Sequence, residues 1–226
     1  MVIFPTANGV QENIQTLKTV WNTITADSCP YVYNFHLHTN FSDGQLTPEA
    51  LMQQALAIGL QGLAITDHHS IGGYLKARTW LEDNYPSYPP KLWIGVEITS
   101  RILGTEIHLL GYGFDPSHPK ISPYLQGKRP QDESAGAENV IDAIHSAGGL
   151  VILAHPCRYH LPYSQLIPAA VHAGIDGVEA YYAYNNPKPW RHSPIETQKV
   201  LSLGQEYNLF NTCGTDSHGL NILQRI

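Results

Sequence analysis

Short apolar runs rich in β-branched and aromatic residues alternate with helical patterns along most of the chain. Alternation of this kind is typical of a parallel sheet with crossover helices, and it predicts an α/β fold whose sheet closes into a barrel. The runs that predict strands are residues 32–37, 63–66, 92–98, 106–113, 150–154, 177–180 and 209–213.

The segments between these runs carry helix signals. The clearest is Thr47-Pro48-Glu49, in which Thr47 is a good N-cap, Pro48 suits the first turn and Gly59 suits the end. The helices are predicted at residues 9–26, 47–58, 70–82, 137–147, 164–173 and 194–204.

Residues 1–30 and 115–135 lie outside the alternation of strands and helices. Residues 115–135 are rich in Pro, Ser, Lys and Gln, which predicts an exposed connection that could act as a mobile lid. No linker divides the chain, so we expect one domain over residues 31–226, preceded by a helical extension over residues 1–30.

Charge and cysteine usage narrow the function classes. The 13 Lys and Arg residues face 19 Asp and Glu residues, giving a net charge of -6 without a basic block. We therefore expect no stable nucleic-acid binding and no membrane-surface binding. The chain has no apolar run of roughly 18 residues and no signal-peptide pattern. Three widely spaced cysteines fit a reducing compartment, so a cytoplasmic location is expected. The sequence carries no signal for an oligomeric state.

Histidines and acidic residues recur where predicted strands end. His36 and His38 alternate with Leu37, so their rings share one face of a strand, and Asp216 and His218 repeat this spacing after the last strand. In an α/β barrel the loops after the strands lie at one end. Six imidazoles and three carboxylates without a thiol suit Zn, Mn or Fe, and they are too many for one ion, so two or three divalent ions are expected. The candidate ligands are His36, His38, Asp43, His68, Glu97, His108, His155, Asp216 and His218.

The order of these motifs resembles the polymerase and histidinol phosphatase family of metallo-phosphoesterases, the PHP family. The resemblance spans roughly residues 31–219 and implies a distorted seven-stranded α/β barrel. The motifs are His-x-His-Thr at 36–39, Ser-Asp-Gly at 42–44, Ala-Ile-Thr-Asp-His at 64–68, Gly-Val-Glu at 95–97, His108 before Leu-Leu-Gly-Tyr-Gly, Ala-His-Pro at 154–156 and Thr-Asp-Ser-His at 215–218.

The resemblance also implies how the ligands divide. Glu97 would bridge the first two ions and is therefore also a catalytic candidate. The expected reaction is hydrolysis of a phosphomonoester, from a nucleotide or a small phosphorylated metabolite, by a metal-bound hydroxide. The implied sets are His36, His38, Glu97 and Asp216 for one ion, Glu97, His108 and His155 for a second, and Asp43, His68 and His218 for a third.

Two departures from the family leave the substrate open. Only 46 residues separate His108 from His155, where many family members that act on small phosphoesters carry a larger insertion. A more open site admits an alternative, a phosphodiesterase or 3′-exonuclease acting on nucleotides or short oligonucleotides. A further alternative is a metal-stabilised, non-catalytic interaction domain. His69 stands where an acidic residue is expected.

Several neighbours of the candidate ligands are secondary candidates. Arg158 and His160 follow Ala-His-Pro, where Arg158 could bind phosphate oxygens and His160 could be the general acid. Asp67 is a candidate for orienting an imidazole. Glu179 is a weaker candidate for a metal ligand, and the tyrosines at 181, 182 and 184 are expected to pack on the barrel rather than to stack on a base.

Overall fold

The computed structural model describes residues 7–85, 87 and 89–226. Within these residues, seven strands alternate with six α-helices, as the hydrophobic pattern predicts. The strands are β1 Tyr33–Asn34, β2 Gly62–Ile65, β3 Lys91–Ile102, β4 Thr105–Tyr112, β5 Leu150–Leu153, β6 Gly177–Tyr181 and β7 Phe210–Cys213. The helices are α1 Ala7–Trp21, α2 Pro48–Ile58, α3 Gly72–Asn84, α4 Ala137–Ser146, α5 Tyr163–Ala173 and α6 Pro194–Glu206.

The strands follow one another in chain order around a nearly closed barrel. The backbone N–H of Phe35 donates to the carbonyl of Cys213 at 3.0 Å, and Leu37 forms a parallel bridge with Ser217, so the chain after β1 lies beside the chain after β7. The predicted seven-stranded α/β barrel is therefore confirmed.

Strand β4 runs opposite to the others, and the expectation of an all-parallel sheet is wrong at this position. It pairs antiparallel with both β3 and β5. Only Leu103 and Gly104 separate β3 from β4, with φ values of 48° and 74°. A two-residue connection with positive φ values forms a hairpin, whereas a parallel pair needs a long crossover. The beginning of β4 consequently lies at the same end of the barrel as the carboxyl ends of its neighbours.

Helix boundaries follow local signals closely where capping residues are present. The Thr47 side chain accepts a hydrogen bond from the N–H of Ala50, and Gly59 ends α2 with a φ of 81°. Where caps are absent the prediction is less accurate, since α1 ends at Trp21 and not at residue 26. Strand β1 is shorter than predicted because the chain after Asn34 pairs irregularly with residues 215–217.

Helix α1 shares the hydrophobic core of the barrel. Leu17 and Trp21 are buried, and the Trp21 ring lies edge-on to the rings of Tyr112 at 5.3 Å and Phe35 at 6.0 Å. The predicted extension thus contributes to the same core as the strands, and the division after residue 30 stays a prediction.

The connection over residues 115–135 is less exposed than its composition suggests. Ile121 and Tyr124 are buried, two short 3-10 helices form at Ser122–Leu125 and Asp132–Ala135, and Gly127 donates its N–H to the carbonyl of His69 at 2.7 Å. A lid role for this segment stays a prediction.

None of the helices in the described part of the chain combines the length and apolar character that crossing a bilayer requires. Cys29, Cys157 and Cys213 are free thiols. The cytoplasmic location stays a prediction.

Candidate metal centre

All nine predicted ligands meet at one end of the barrel. The loops after β1, β2, β5 and β7 supply most of them, while Glu97 lies within β3. His108 is the fourth residue of β4, and it reaches the same end only because β4 is reversed. Contacts of 3.6 Å or less between ring nitrogens and carboxylate oxygens connect the nine side chains into one cluster.

Glu97 is at the centre of the cluster. Its Oε2 lies 3.0 Å from Nε2 of both His36 and His38. Its Oε1 lies 2.7 Å from Nδ1 of His108 and 3.4 Å from Nε2 of His155. The two oxygens of one buried carboxylate therefore face two different sets of imidazoles, which is the arrangement a bridging ligand needs.

One group of ligand atoms coincides with the set implied for the first ion. His36, His38, Glu97 and Asp216 are all buried, and each offers an atom within 4.8 Å of the others. Asp216 Oδ1 lies 3.4 Å from Nε2 of His36 and 3.2 Å from Nε2 of His38.

The other two groups differ in part from the implied sets. Asp43, His68 and His218 group together as expected, with His38 as a fourth member. His68, Glu97 and His108 form the remaining group, although His155 was the partner implied for Glu97 and His108. The division of the nine side chains among three ions therefore stays a prediction.

Buried ring nitrogens without hydrogen-bond partners show that this site fits metal ions. In the described part of the chain, both nitrogens of His38 and His155, and Nδ1 of His68, are buried without a hydrogen bond. Carboxylate oxygens lie 3.0 Å from Nε2 of His38 and 3.4 Å from Nε2 of His155, yet the geometry forms no hydrogen bond. A buried polar atom left unpaired costs about 1–3 kcal/mol. Ligation would remove that cost, and imidazoles with carboxylates suit the divalent ions expected.

Burial and the neighbouring charges shift the pKa values of several side chains in the cluster. Burial by itself raises the pKa of Glu97, but the imidazoles of His36 and His108 outweigh it and hold the pKa well below its usual range. Burial lowers the pKa of His38, yet the nearby carboxylates of Asp216 and Glu97 outweigh it and raise the pKa to about 9. For His68 burial prevails, and the pKa falls to about 4. The carboxylates are thus held in the charged form that binds metal.

The second oxygen of Asp216, Oδ2, is held by three donors. Tyr182 donates its hydroxyl to Oδ2 at 2.7 Å, Nε of Arg225 lies 2.8 Å away, and Nη1 of Arg158 lies 3.3 Å away. Arg225 was not predicted to belong to the site, because it lies outside every motif and contacts Asp216 only through the folded loop. Tyr182 was expected to pack against the barrel; its ring is buried, and its hydroxyl also forms this hydrogen bond.

Asp67 organises a loop and not an imidazole, which corrects the expectation. Its carboxylate accepts from the N–H and hydroxyl of Thr39 and from the hydroxyl of Ser42, each at 2.7 Å. These bonds shape the turn that carries Asp43.

Glu179 is fully buried on β6 and does not join any of the three groups of ligand atoms. Its Oε1 lies 2.9 Å from Nδ1 of His36, and its Oε2 accepts the backbone N–H of His155 at 2.8 Å.

His160 and His69 differ in how closely they approach the site. His160 is exposed and forms no hydrogen bond or ion pair within the described residues, so its role as general acid stays a prediction. His69 is buried, with Nε2 3.2 Å from the hydroxyl of Thr99 and with its ring 6.1 Å from the ring of His68.

The sequence is similar to those of several known proteins. The 5′-3′ exoribonuclease Rnm of Escherichia coli is 26% identical over 255 residues, covering 83% of this chain and 85% of that protein. A 5′-3′ exoribonuclease of Haemophilus influenzae is 34% identical over 139 residues, which are 56% of this chain and 49% of that protein. A 3′,5′-nucleoside bisphosphate phosphatase of Chromobacterium violaceum is 30% identical over 96 residues, covering 42% of this chain and 32% of that protein.

Solved structures show the same fold. A candidate metal-dependent phosphoesterase of Bifidobacterium adolescentis superposes with a TM-score of 0.69 at 23% identity, covering 84% of this chain and 88% of that one. An amidohydrolase from Chromobacterium violaceum superposes with a TM-score of 0.68 at 20% identity, covering 83% of this chain and 87% of that one. The family model described as the PHP domain matches residues 34–214. The chain therefore belongs to the PHP domain family, and the expected enzyme class, a metal-dependent phosphoesterase, is confirmed.

Proposed function

We propose that this chain hydrolyses a phosphomonoester, carried by a nucleotide or a small phosphorylated metabolite, with two or three divalent ions of Zn, Mn or Fe in its metal centre. The observation that carries the proposal is the position of Glu97 between two sets of imidazoles. Three carboxylates alone would repel a phosphate, whereas three divalent ions would leave a net charge of about +3 to attract it.

Bound ions would supply positive charge and lower the pKa of a water molecule, which is the chemistry that phosphoester hydrolysis requires. The side chains of the site would then position the substrate. Arg158 has a side chain that is 44% exposed and already contacts Asp216, so its remaining N–H groups are available for phosphate oxygens. His160 lies two residues further along the same exposed loop and is the proposed proton donor for the leaving group.

A second candidate function, cleavage of terminal nucleotides from an oligonucleotide, is favoured by the relatives named as 5′-3′ exoribonucleases. Their names favour attack from the 5′ end and not from the 3′ end suggested by the open site. The short segment between His108 and His155 supports access for a longer substrate. The acidic balance of the chain counts against strong binding of a long strand.

The test compares three substrates with the metal-reconstituted protein: 4-nitrophenyl phosphate, bis(4-nitrophenyl) phosphate and a 5′-phosphorylated tetranucleotide. We expect turnover of the monoester that a chelator abolishes and that added metal restores. Asp176→Asn, which changes a carboxylate at the opposite end of β6, is the matched control and should retain that turnover. Cleavage of the tetranucleotide without turnover of any monoester would replace the first candidate with the second. If no phosphoester is hydrolysed, the proposed function is wrong.

A further inference from the structure

Glu179 contacts two predicted metal ligands at once. Oε1 lies 2.9 Å from Nδ1 of His36, and Oε2 accepts the backbone N–H of His155 at 2.8 Å. All three residues are buried. An ionised carboxylate only accepts hydrogen bonds, so the contact with His36 requires the proton to be on Nδ1. Nε2 of His36 faces the carboxylates of Glu97 at 3.0 Å and Asp216 at 3.4 Å. With the proton held on Nδ1, the lone pair on Nε2 would be available to a metal ion bound among these groups.

The second contact acts on backbone geometry. His155 has a φ of 29°, in the left-handed region that side chains other than glycine rarely adopt, and it precedes Pro156. Such a conformation costs about 1–2 kcal/mol and persists only where other contacts hold it. The hydrogen bond to Glu179 holds the backbone N–H of His155 in place. It thereby fixes the backbone position from which the imidazole of His155 extends toward Glu97.

The surrounding backbone makes room for this arrangement. At Gly214 a Cβ atom would lie 2.2 Å from Cβ of His36 and 2.9 Å from Oε1 of Glu179. A side chain there would displace His36 from Glu179, so a glycine at this position preserves the contact.

We propose that Glu179 is a positioning residue that sets the tautomer of His36 and the backbone conformation of His155. It thereby orients one predicted ligand after β1 and another after β5. The inference rests on the proposed function, because it assigns Glu179 to the same site. A carboxylate behind a metal-binding imidazole typically contributes 10- to 100-fold, roughly, to metal affinity.

Glu179→Gln is the decisive variant because glutamine has one acceptor where this site needs two. If its amide oxygen faces His155, its NH₂ group faces Nδ1 of His36 and forces the proton to Nε2, where metal would bind. If the oxygen faces His36, the NH₂ group opposes the N–H of His155. Either orientation disrupts one ligand while the volume of the side chain is unchanged.

Asp176→Asn is a matched control. Asp176 also joins an imidazole to a backbone N–H, but one oxygen, Oδ2, accepts from both Nε2 of His145 and the N–H of Val151 at 2.8 Å. Asparagine can retain both bonds through its single carbonyl oxygen. Asp176 precedes β6 and lies at the opposite end of the strand from the metal centre.

Two readouts test the inference: zinc affinity from titration against a competing chelator, and long-range ¹H–¹⁵N NMR of the histidine rings in the zinc-loaded protein. In the wild type we expect a protected proton on Nδ1 of His36. In Glu179→Gln we expect that signal to be lost and zinc affinity to fall roughly 10- to 100-fold. Asp176→Asn should match the wild type in both.

Unchanged zinc affinity in Glu179→Gln, together with a retained Nδ1 proton, would overturn the inference. The wild type alone can also overturn it, if the proton is found on Nε2 of His36, so the test does not depend on the variant folding. Hydrolysis of 4-nitrophenyl phosphate by the zinc-loaded wild type is measured in parallel. Its absence would count against the proposed function and not against the positioning of His36.

Discussion

Glu97 and His108 form one of the shortest contacts in the metal centre, with 2.7 Å between Oε1 and Nδ1. The other oxygen of the same carboxylate faces His36 and His38 at 3.0 Å. Asp43, by contrast, has a half-exposed side chain whose oxygens face His38, His68 and His218. Among the described residues, it forms no ion pair with His108 or His155. We therefore predict that Glu97 binds two ions and Asp43 only one.

This difference predicts distinct losses in two alanine variants. Glu97→Ala is expected to lose ions from two positions and to reduce turnover of 4-nitrophenyl phosphate by several orders of magnitude, because the charge and the bridge are removed together. Asp43→Ala is expected mainly to weaken one ion. Metal counting by mass spectrometry on both variants, with Asp142→Ala as a remote control, measures the difference. Full metal content and near-normal turnover in Glu97→Ala would show that Glu97 is not the bridge.

A smaller change tests the support of Asp216. Tyr182→Phe keeps the buried ring but removes the hydroxyl that donates to Oδ2 at 2.7 Å. We expect affinity for the ion bound by Asp216 to fall roughly tenfold or more. Metal titration is the measurement, and Tyr33→Phe, which loses an exposed hydroxyl bonded to Gln61, is the control. Equal metal affinity in both variants would show that the Tyr182 hydroxyl is not needed and that Arg225 and Arg158 suffice to orient Asp216.

The pair of His145 and Asp176 predicts a pH dependence far from the metal centre. The hydrogen bond that His145 donates to Asp176 raises the pKa of His145 above its ordinary 6.5. Because the folded-state pKa is the higher one, this pair stabilises the fold fully below pH 6.5, and the contribution is lost as the pH rises through the folded-state value. An NMR titration of the His145 ring should show the raised pKa. A titration at or below 6.5 in the wild type would contradict it.

The packing of Trp21 tests whether α1 belongs to the barrel. Trp21 is 2% exposed and contacts the rings of Phe35, Tyr112 and Phe210. Trp21→Ala should lower the free energy of unfolding by about 3–5 kcal/mol, as expected for loss of a large buried aromatic side chain. Urea denaturation measures the change, and Trp80→Ala, at a half-buried position, should cost less. A loss below 1 kcal/mol, roughly the effect of a surface substitution, would mark α1 as a separate extension.

The sequence predicted the strands and the cluster because both depend on local signals. Period-2 spacing placed His36 and His38 on one face, and apolar runs located the strands before His68 and His155. The direction of β4 was missed because the pattern of a strand carries no direction. The two-residue turn at Leu103 and Gly104 was the available signal.

Contacts between distant segments could not be predicted in the same way. Arg225 reaches Asp216 through a loop that no motif marks, and Asp67 binds Thr39 across 28 positions of sequence. Glu179 was recognised as a strand-end acid, but its partners, His36 and His155, become visible only when β1, β5 and β6 are placed in the barrel.

Because β4 is reversed, the β3–β4 hairpin contributes both metal ligands and one wall of the barrel mouth, and these two parts of the hairpin lie at different positions along it. Pairing sets Thr99 opposite His108, and the hairpin continues beyond that pair to its tip at Leu103 and Gly104. Equal additions to the two arms of the hairpin would raise one wall of the mouth without changing the separation of Glu97 and His108. Selectivity could therefore be altered by insertion at this tip, much as a loop is grafted onto a fixed scaffold, with the metal ligands left in register.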